Sequence, residues 1–161
     1  MSFLRTLKMR ITKTTTKCGD KGETLLACKL VSKGHAAIEL LGELDLLNVL
    51  IGNINNPEGT QDNIFELSAA VYKGEDWPAA YGETEYLEAL IHELSQDLEP
   101  LKEFIRPSGD IHMARAQTRR CERLAWAYDS SKDYCRYLNR LSDYLFVLAR
   151  VMSDEETQWE R

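Results

Sequence analysis

Tyr137-Leu138-Asn139-Arg140-Leu141-Ser142-Asp143-Tyr144-Leu145-Phe146-Val147-Leu148-Ala149-Arg150 is the stretch that decides the fold. Leu138, Leu141, Leu145, Leu148 and Met152 recur at alternating steps of three and four. That is the seam with which one helix packs against others in a bundle. The spacing predicts a helix over about Tyr134 to Gln158. Asn139, Asp143, Phe146 and Arg150 form a second stripe beside the leucines. A polar asparagine next to a core seam either fixes the helix register or contacts a ligand.

Working backwards, Ile111 to Tyr128 predicts a fourth helix and Glu83 to Leu98 a third, with Leu87, Leu90, Ile91, Leu94 and Leu98 at helical spacing. Asp62 to Lys73 predicts a shorter second helix. Ala36 to Asn53 predicts a first, closed by the stop signal Asn55-Asn56-Pro57-Glu58-Gly59. In this first helix Ile38, Leu41, Leu44, Leu47 and Ile51 give one apolar face, while Leu40, Leu46 and Leu50 spread hydrophobicity round the cylinder. Such a helix needs neighbours, or another subunit, on several sides. Residues 1–35, rich in Thr, Lys and Gly, predict an ordered loop, and no segment makes a convincing strand. An all-α antiparallel five-helix bundle follows, as one domain over residues 1–161, the length being too short for two comfortable ones.

Hydrophobic residues make up 43% and charged residues 29%, which argues against disorder. A net charge of −6 is a poor footprint for nucleic acid. Yet Arg115, Arg119, Arg120, Arg123, Arg136 and Arg140 are six of the eleven arginines. A local cationic site on an acidic protein points to a small anion. Cys18, Cys28, Cys121 and Cys135 lack C-x-x-C or zinc spacing, so free thiols in a reducing compartment are expected. Met1 to Arg10 is basic without an apolar h-region, and the apolar runs fall short of a membrane span. The expected location is cytoplasmic, with no membrane partner.

The chemistry concentrates in three places. Arg115, Arg119 and Glu122 stand at i, i+4 and i+7 on the fourth helix and project from one face. Guanidinium groups so placed clamp phosphate oxygens bidentately, with the glutamate orienting one of them. The bland alternative is a solvated charged face with internal ion pairs. Asp45 and Asn48 share a stripe with Gly42 and Gly52 on the very apolar first helix. A carboxylate there needs a neutralising partner, for which the arginine cluster is the source. Lys17-Cys18-Gly19-Asp20-Lys21-Gly22-Glu23-Thr24 offers glycines, lysines and backbone N–H groups, the ingredients of a phosphate nest. It lacks the G-x-x-x-x-G-K-[ST] spacing, and a tight turn is its plain alternative.

Together these segments resemble a known family. Thr16 to Thr24, then Val31-Ser32-Lys33, then Gly42-x-x-Asp45-x-x-Asn48 are similar to the N-terminal motifs of the PduO-type ATP:cob(I)alamin adenosyltransferases. His112-x-Ala114-Arg115-x-x-x-Arg119-Arg120-x-Glu122-Arg123 resembles that family's signature helix, and Tyr137 to Arg150 its last motif. The motifs occur in the family's order across about residues 11–152. The family has Thr where Cys18 stands, Glu where Leu46 stands and often Tyr where Leu41 stands. Its Phe-x-Leu-Pro-Gly-Gly loop is here Phe104-Ile105-Arg106-Pro107-Ser108-Gly109, with the stretch to His112 several residues shorter.

The resemblance implies a homotrimer of five-helix bundles with ATP between adjacent subunits. It implies that Thr16, Lys17, Gly19, Asp20, Gly22, Thr24 and Lys33 hold the triphosphate with Mg²⁺. Arg115 would pair with Asp45 across the interface and contact the nucleotide. Arg119, Glu122 and Asn139 would complete the ATP pocket. Phe104 would pack under the corrin ring and displace the lower axial base, easing reduction of cob(II)alamin. Cob(I)alamin would then attack the 5′-carbon of ATP and release triphosphate. A reductase and an adenosylcobalamin-dependent enzyme are the further partners implied. Two other readings stay open on the residues alone: an ATP-binding homologue acting as a sensor or cofactor carrier, and a structural oligomer whose arginines only make salt bridges.

Overall fold

The computed structural model describes residues 17, 19–54 and 59–153. Thr16, Cys18 and Asn55 to Glu58 lie outside them, as do Asp154 to Gln158 of the predicted last helix. The described elements are a hairpin, β1 (Glu23–Leu26) and β2 (Lys29–Ser32), followed by five helices. These are α1 (Ala36–Gly52), α2 (Thr60–Lys73), α3 (Ala80–Ser95), α4 (Gly109–Tyr128) and α5 (Tyr134–Val151).

The hairpin corrects the expectation of a strandless N-terminal loop. Its strands are antiparallel, in the register Glu23↔Ser32, Thr24↔Val31, Leu25↔Leu30 and Leu26↔Lys29. The two turn residues both take positive φ, 46° at Ala27 and 66° at Cys28, the handedness that matches strand twist in a two-residue turn. Local chemistry sets the helix ends. His35 caps α1, its Nδ1 accepting from the Ala37 amide at 3.1 Å. Gly74, at φ 70°, closes α2 with the left-handed residue that lets its amide and that of Glu75 reach back to the Val71 and Ala70 carbonyls. The third helix begins and ends about a turn before its predicted bounds, leaving Leu98 beyond it. The fifth ends at Val151, so Met152 falls at its cap and is exposed rather than in the seam.

The helices pack in the order α2, α1, α4, α5, α3. Leu138, Leu141, Leu145 and Leu148 of the seam are buried, against Leu40, Leu44, Leu47 and Ile51 of α1 and Ile64, Leu67 and Leu87 from α2 and α3 in one core. The buried face of α1 is thus rotated from the predicted one, with Leu40 in it and Ile38 and Leu41 at its margin. Trp77 locks the α2–α3 connection, edge-on to Tyr137 at 4.9 Å and donating to Glu66 at 2.8 Å. α1 and α4 are tied by Arg120, 2.9 Å from Glu43 and 3.7 Å from Glu39, and by Gln117, which donates to the Glu43 carboxylate at 2.7 Å. Of the arginine cluster on α4, Arg120 thus meets α1 within the chain, and its partners there are Glu43 and Glu39 rather than Asp45. Asp45 is exposed. It shares an uncovered stripe with Gly42, Leu46, Val49 and Gly52, at the i, i+3, i+4 spacing of one helix face.

Candidate functional site

The glycine loop and Lys33 form one unit. The Gly22 amide donates to the Gly19 carbonyl at 3.2 Å, and the Lys33 amide to the Gly22 carbonyl at 2.9 Å, so the loop is pinned across the open end of the hairpin. Lys33 crosses Gly19 so closely that a methyl group there would lie 2.9 Å from Nζ. Lys17 and Gly22, at the two ends of the loop, have positive φ, 61° and 79°. Asp20 is exposed beside them, and Thr24 is half-buried on β1.

A second locus lies on α4 and α5. Arg115 is half-buried, with its guanidinium carbon 5.0 Å from the centre of the Phe146 ring. A cation over an aromatic face is held in place without losing its hydrogen-bond donors. Burial, and then the neighbouring Arg119 charge, lower the Arg115 pKa, partly offset by Asp143. Among the described residues neither Arg115 nor Arg119 forms an ion pair with a carboxylate. Glu122 is bonded by Asn139, whose Nδ2 donates to it at 3.1 Å, and this joins α4 to α5. Glu122 thus pairs with the asparagine rather than with an arginine of its own helix. Arg140 is spent on Asp143 at 2.7 Å and Glu88 at 3.0 Å. The two arginines of the i, i+4 stripe keep their donors for something else.

Phe104, 80% exposed, lies on the segment leading into α4. It shares a cleft of about 460 Å³ with Leu101, Ile105, Pro107, Arg115 and Phe146. These apolar groups share the wall with exposed Lys102 and Glu103 and with the half-buried Arg115. His112 sits beside this cleft with its ring 6.4 Å from Phe146, and burial followed by the Arg115 charge lowers its pKa. The role of Phe146 as the platform under Arg115 escaped the sequence reading. No spacing within one helix reveals which ring on α5 faces which arginine on α4.

The two loci do not meet within one chain. The hairpin leads into α1 at the C-terminal end of α4, where the His35 and Tyr128 rings lie 6.5 Å apart. Tyr128 and Arg115 are about 20 Å apart along the helix axis at the rise of an α-helix. The loop and Arg115 are therefore separate features of a single subunit, and among the described residues Asp45 forms no ion pair with Arg115.

The fold and these loci define a helical bundle with a glycine- and lysine-bearing loop and a cleft that ends on a ring-held arginine. Residues 14–152 match the family described as cobalamin adenosyltransferase, and the chain belongs to that family. It is similar to the corrinoid adenosyltransferase of Bacillus subtilis (strain 168), 34% identical over 164 aligned positions, covering 86% of this chain and 85% of that one. Against the corrinoid adenosyltransferase PduO of Salmonella typhimurium the identity is 32%, covering 89% of this chain but 50% of the relative, so the chain spans half that protein's length. A variant PduO-type ATP:corrinoid adenosyltransferase from Lactobacillus reuteri, complexed with cobalamin and ATP, superposes with a TM-score of 0.82 at 25% identity, covering 92% of this chain and all of that one.

Proposed function

We propose that this protein transfers the 5′-deoxyadenosyl group of ATP to the cobalt of a reduced corrinoid, cob(I)alamin, forming adenosylcobalamin and releasing triphosphate. The observation that carries this reading is the shared cleft. Phe104, the aromatic on the corrinoid side, and Arg115, the first cation of the nucleotide stripe, wall the same space. A reaction between a corrin-bound cobalt and a nucleotide carbon needs both substrates to meet in one dry pocket.

The cobalt is the nucleophile, so the protein supplies position and charge neutralisation. Thr16, Lys17, Gly19, Asp20, Gly22, Thr24 and Lys33 hold the triphosphate through lysine charge and loop amides. Arg115 and Arg119 meet negative charge as it builds on the leaving triphosphate. Glu122 and Asn139 fix the α4–α5 wall of the pocket. Among the described residues no group of three or more His, Cys, Asp or Glu could hold a metal ion alone. That suits Mg²⁺, which favours substrate phosphates, water and one or two carboxylates, here Asp20.

The functional unit is a homotrimer, with each ATP held by the loop of one subunit and the arginine stripe of the next. Support comes from the separation of the loci along α4 and from the uncovered Gly42, Asp45, Leu46, Val49 stripe, where Asp45 can meet a neighbour's Arg115. Residues 1–35 serve as the nucleotide-binding region and 36–158 as the bundle of a single domain. Among the described residues no helix is long and apolar enough to cross a membrane, and Cys28, Cys121 and Cys135 are free thiols. We place the protein in the cytoplasm, served by a reductase and delivering to an adenosylcobalamin-dependent enzyme.

The test is spectroscopic. Cobalamin kept reduced with MgATP and this protein gives the adenosylcobalamin spectrum and stoichiometric triphosphate. ATP binding without that product would make the protein a nucleotide sensor or cofactor carrier instead.

A further inference from the structure

A second cavity, of about 240 Å³, adjoins the Phe104 cleft, and Ile105 lines both. Its polar side is formed by Arg106, Arg150, His112 and Ser108, set against Ile111 and Ala149. Arg106 is exposed and forms no ion pair among the described residues. Arg150 is held in place, donating to the Glu99 carbonyl at 2.8 Å. The His112 Nδ1 is buried and has no hydrogen-bond partner. The floor is the first turn of α4, whose Ser108 makes no side-chain cap bond and so leaves backbone N–H groups open. Asp110 is the single carboxylate in the lining, set against the two guanidinium groups. Arg106 alone carries more donors than the Asp110 carboxylate can occupy, and about 240 Å³ admits a phosphate group together with the atoms that flank it.

We propose that this cavity receives the phosphodiester of the corrinoid's nucleotide tail. The proposal rests on the function assigned above. A cobalamin carries its lower base on a tether that contains one phosphodiester, a monoanion. A ring seated on Phe104 leaves no room for that base beneath the cobalt, so the tether must leave the ring edge and settle on protein or in water. The cavity that shares Ile105 with the cleft is within the reach of such a tether. Arg106 supplies the charge-assisted contact, which is bidentate to two phosphate oxygens in its best geometry. Phosphate as a free ion has the same chemistry, so the experiment separates the two sources.

Full-length protein with MgATP is titrated with cob(II)alamin and with cob(II)inamide, which has the same ring without the nucleotide tail. Arg106→Ala should raise the Kd for cob(II)alamin about tenfold, in line with the loss of one charge-assisted pair, and leave that for cob(II)inamide within about twofold. Arg106→Lys should recover part of the loss. Inorganic phosphate should weaken cobalamin binding by the wild type but not cobinamide binding, since competition at the triphosphate loop would affect both alike. Equal losses for the two corrinoids in Arg106→Ala, or no loss for either, overturn the tail site. So does a wild type that binds phosphate in this cavity while treating both corrinoids the same. Adenosylation of cobinamide by the wild type leaves the proposed function standing in each of these cases. A wild type that binds neither corrinoid overturns both.

Discussion

The Lys33 ammonium lies across Gly19, so that a single added methyl group would stand 2.9 Å from Nζ and 3.1 Å from Cε. Glycine here is a matter of clearance rather than of turn geometry. Gly19→Ala should displace the lysine from the loop while the helices, which make no use of it, stay intact. The expected result is a rise of about five- to tenfold in the Kd for MgATP, on the order of 1 kcal/mol for one misplaced charged donor. Isothermal titration checks it, and circular dichroism should show unchanged helix content. Unaltered affinity would remove Lys33 from the nucleotide site.

Arg119 is exposed and, among the described residues, has no carboxylate partner, one turn along α4 from the ring-held Arg115. On the proposed function its charge acts on the leaving group. Arg119→Ala should lower kcat by on the order of 10²-fold or more, with a smaller effect on nucleotide affinity. Single-turnover formation of adenosylcobalamin measures it. Turnover like that of the wild type would return Arg119 to a solvated surface role.

Asp45 stands on the uncovered face of α1 between Gly42 and Val49, the latter 61% exposed. Light scattering should give the mass of three chains. Asp45→Asn should weaken both assembly and ATP binding, since on the proposed function the two would share one salt bridge, without loosening the core on the other side of the helix. A stable wild-type monomer at micromolar concentration would contradict the shared site.

Phe104 offers most of its ring to the cleft. With MgATP bound, cob(II)alamin should become base-off and four-coordinate, since an apolar ring excludes water and the axial base alike. Phe104→Ala should suppress that spectral change and leave MgATP affinity nearly unchanged. Magnetic circular dichroism of the bound cob(II)alamin decides between the two coordination states. A wild type whose bound cobalt stays five-coordinate would count against the ring's role.

Burial pushes the thiols of Cys121 and Cys135 up to about 12, whereas Cys28 is exposed at the hairpin turn. Only the thiolate reacts, and a thiol's acid form prevails below its pKa. At pH 8 the two buried groups should therefore react with a disulfide reagent on the order of 10³-fold more slowly than an ordinary thiol, and faster as pH rises. Denaturant should abolish the difference. Fast labelling of Cys121 or Cys135 in the native protein would mean that the α4–α5 packing opens.

The five helices were legible because their apolar spacing is long and repeated. Leu138 to Leu148 could face only one way in a bundle. Their ends were less so: the leucine seam runs on to Met152 on paper, and no glycine or proline follows Val151 to stop it. The hairpin was hidden because its four-residue strands are too short to show a period. Its turn also puts Ala27 and Cys28, neither a usual residue for positive φ, where Asn-Gly is expected. In the site, the stripe of Arg115, Arg119 and Glu122 was readable from spacing, but not which arginine meets α1. Adjacent positions differ by about 100° round a helix, and only the packing shows Arg120 turned to Glu43 and Arg115 turned to Phe146.

The ribbon that carries the phosphate loop is the thinnest part of the described structure: two strands, with Leu25 and Leu30 paired across it and both largely exposed. A two-stranded hairpin is marginal by itself in water. On the proposed function, triphosphate and a neighbouring subunit add the contacts that two strands cannot supply by themselves. Part of the heat released on gripping the nucleotide is offset by the entropy of stilling it. On that reading the affinity for ATP should be smaller than the loop's contacts alone would give, and a second chain that already clamps the ribbon should restore part of it.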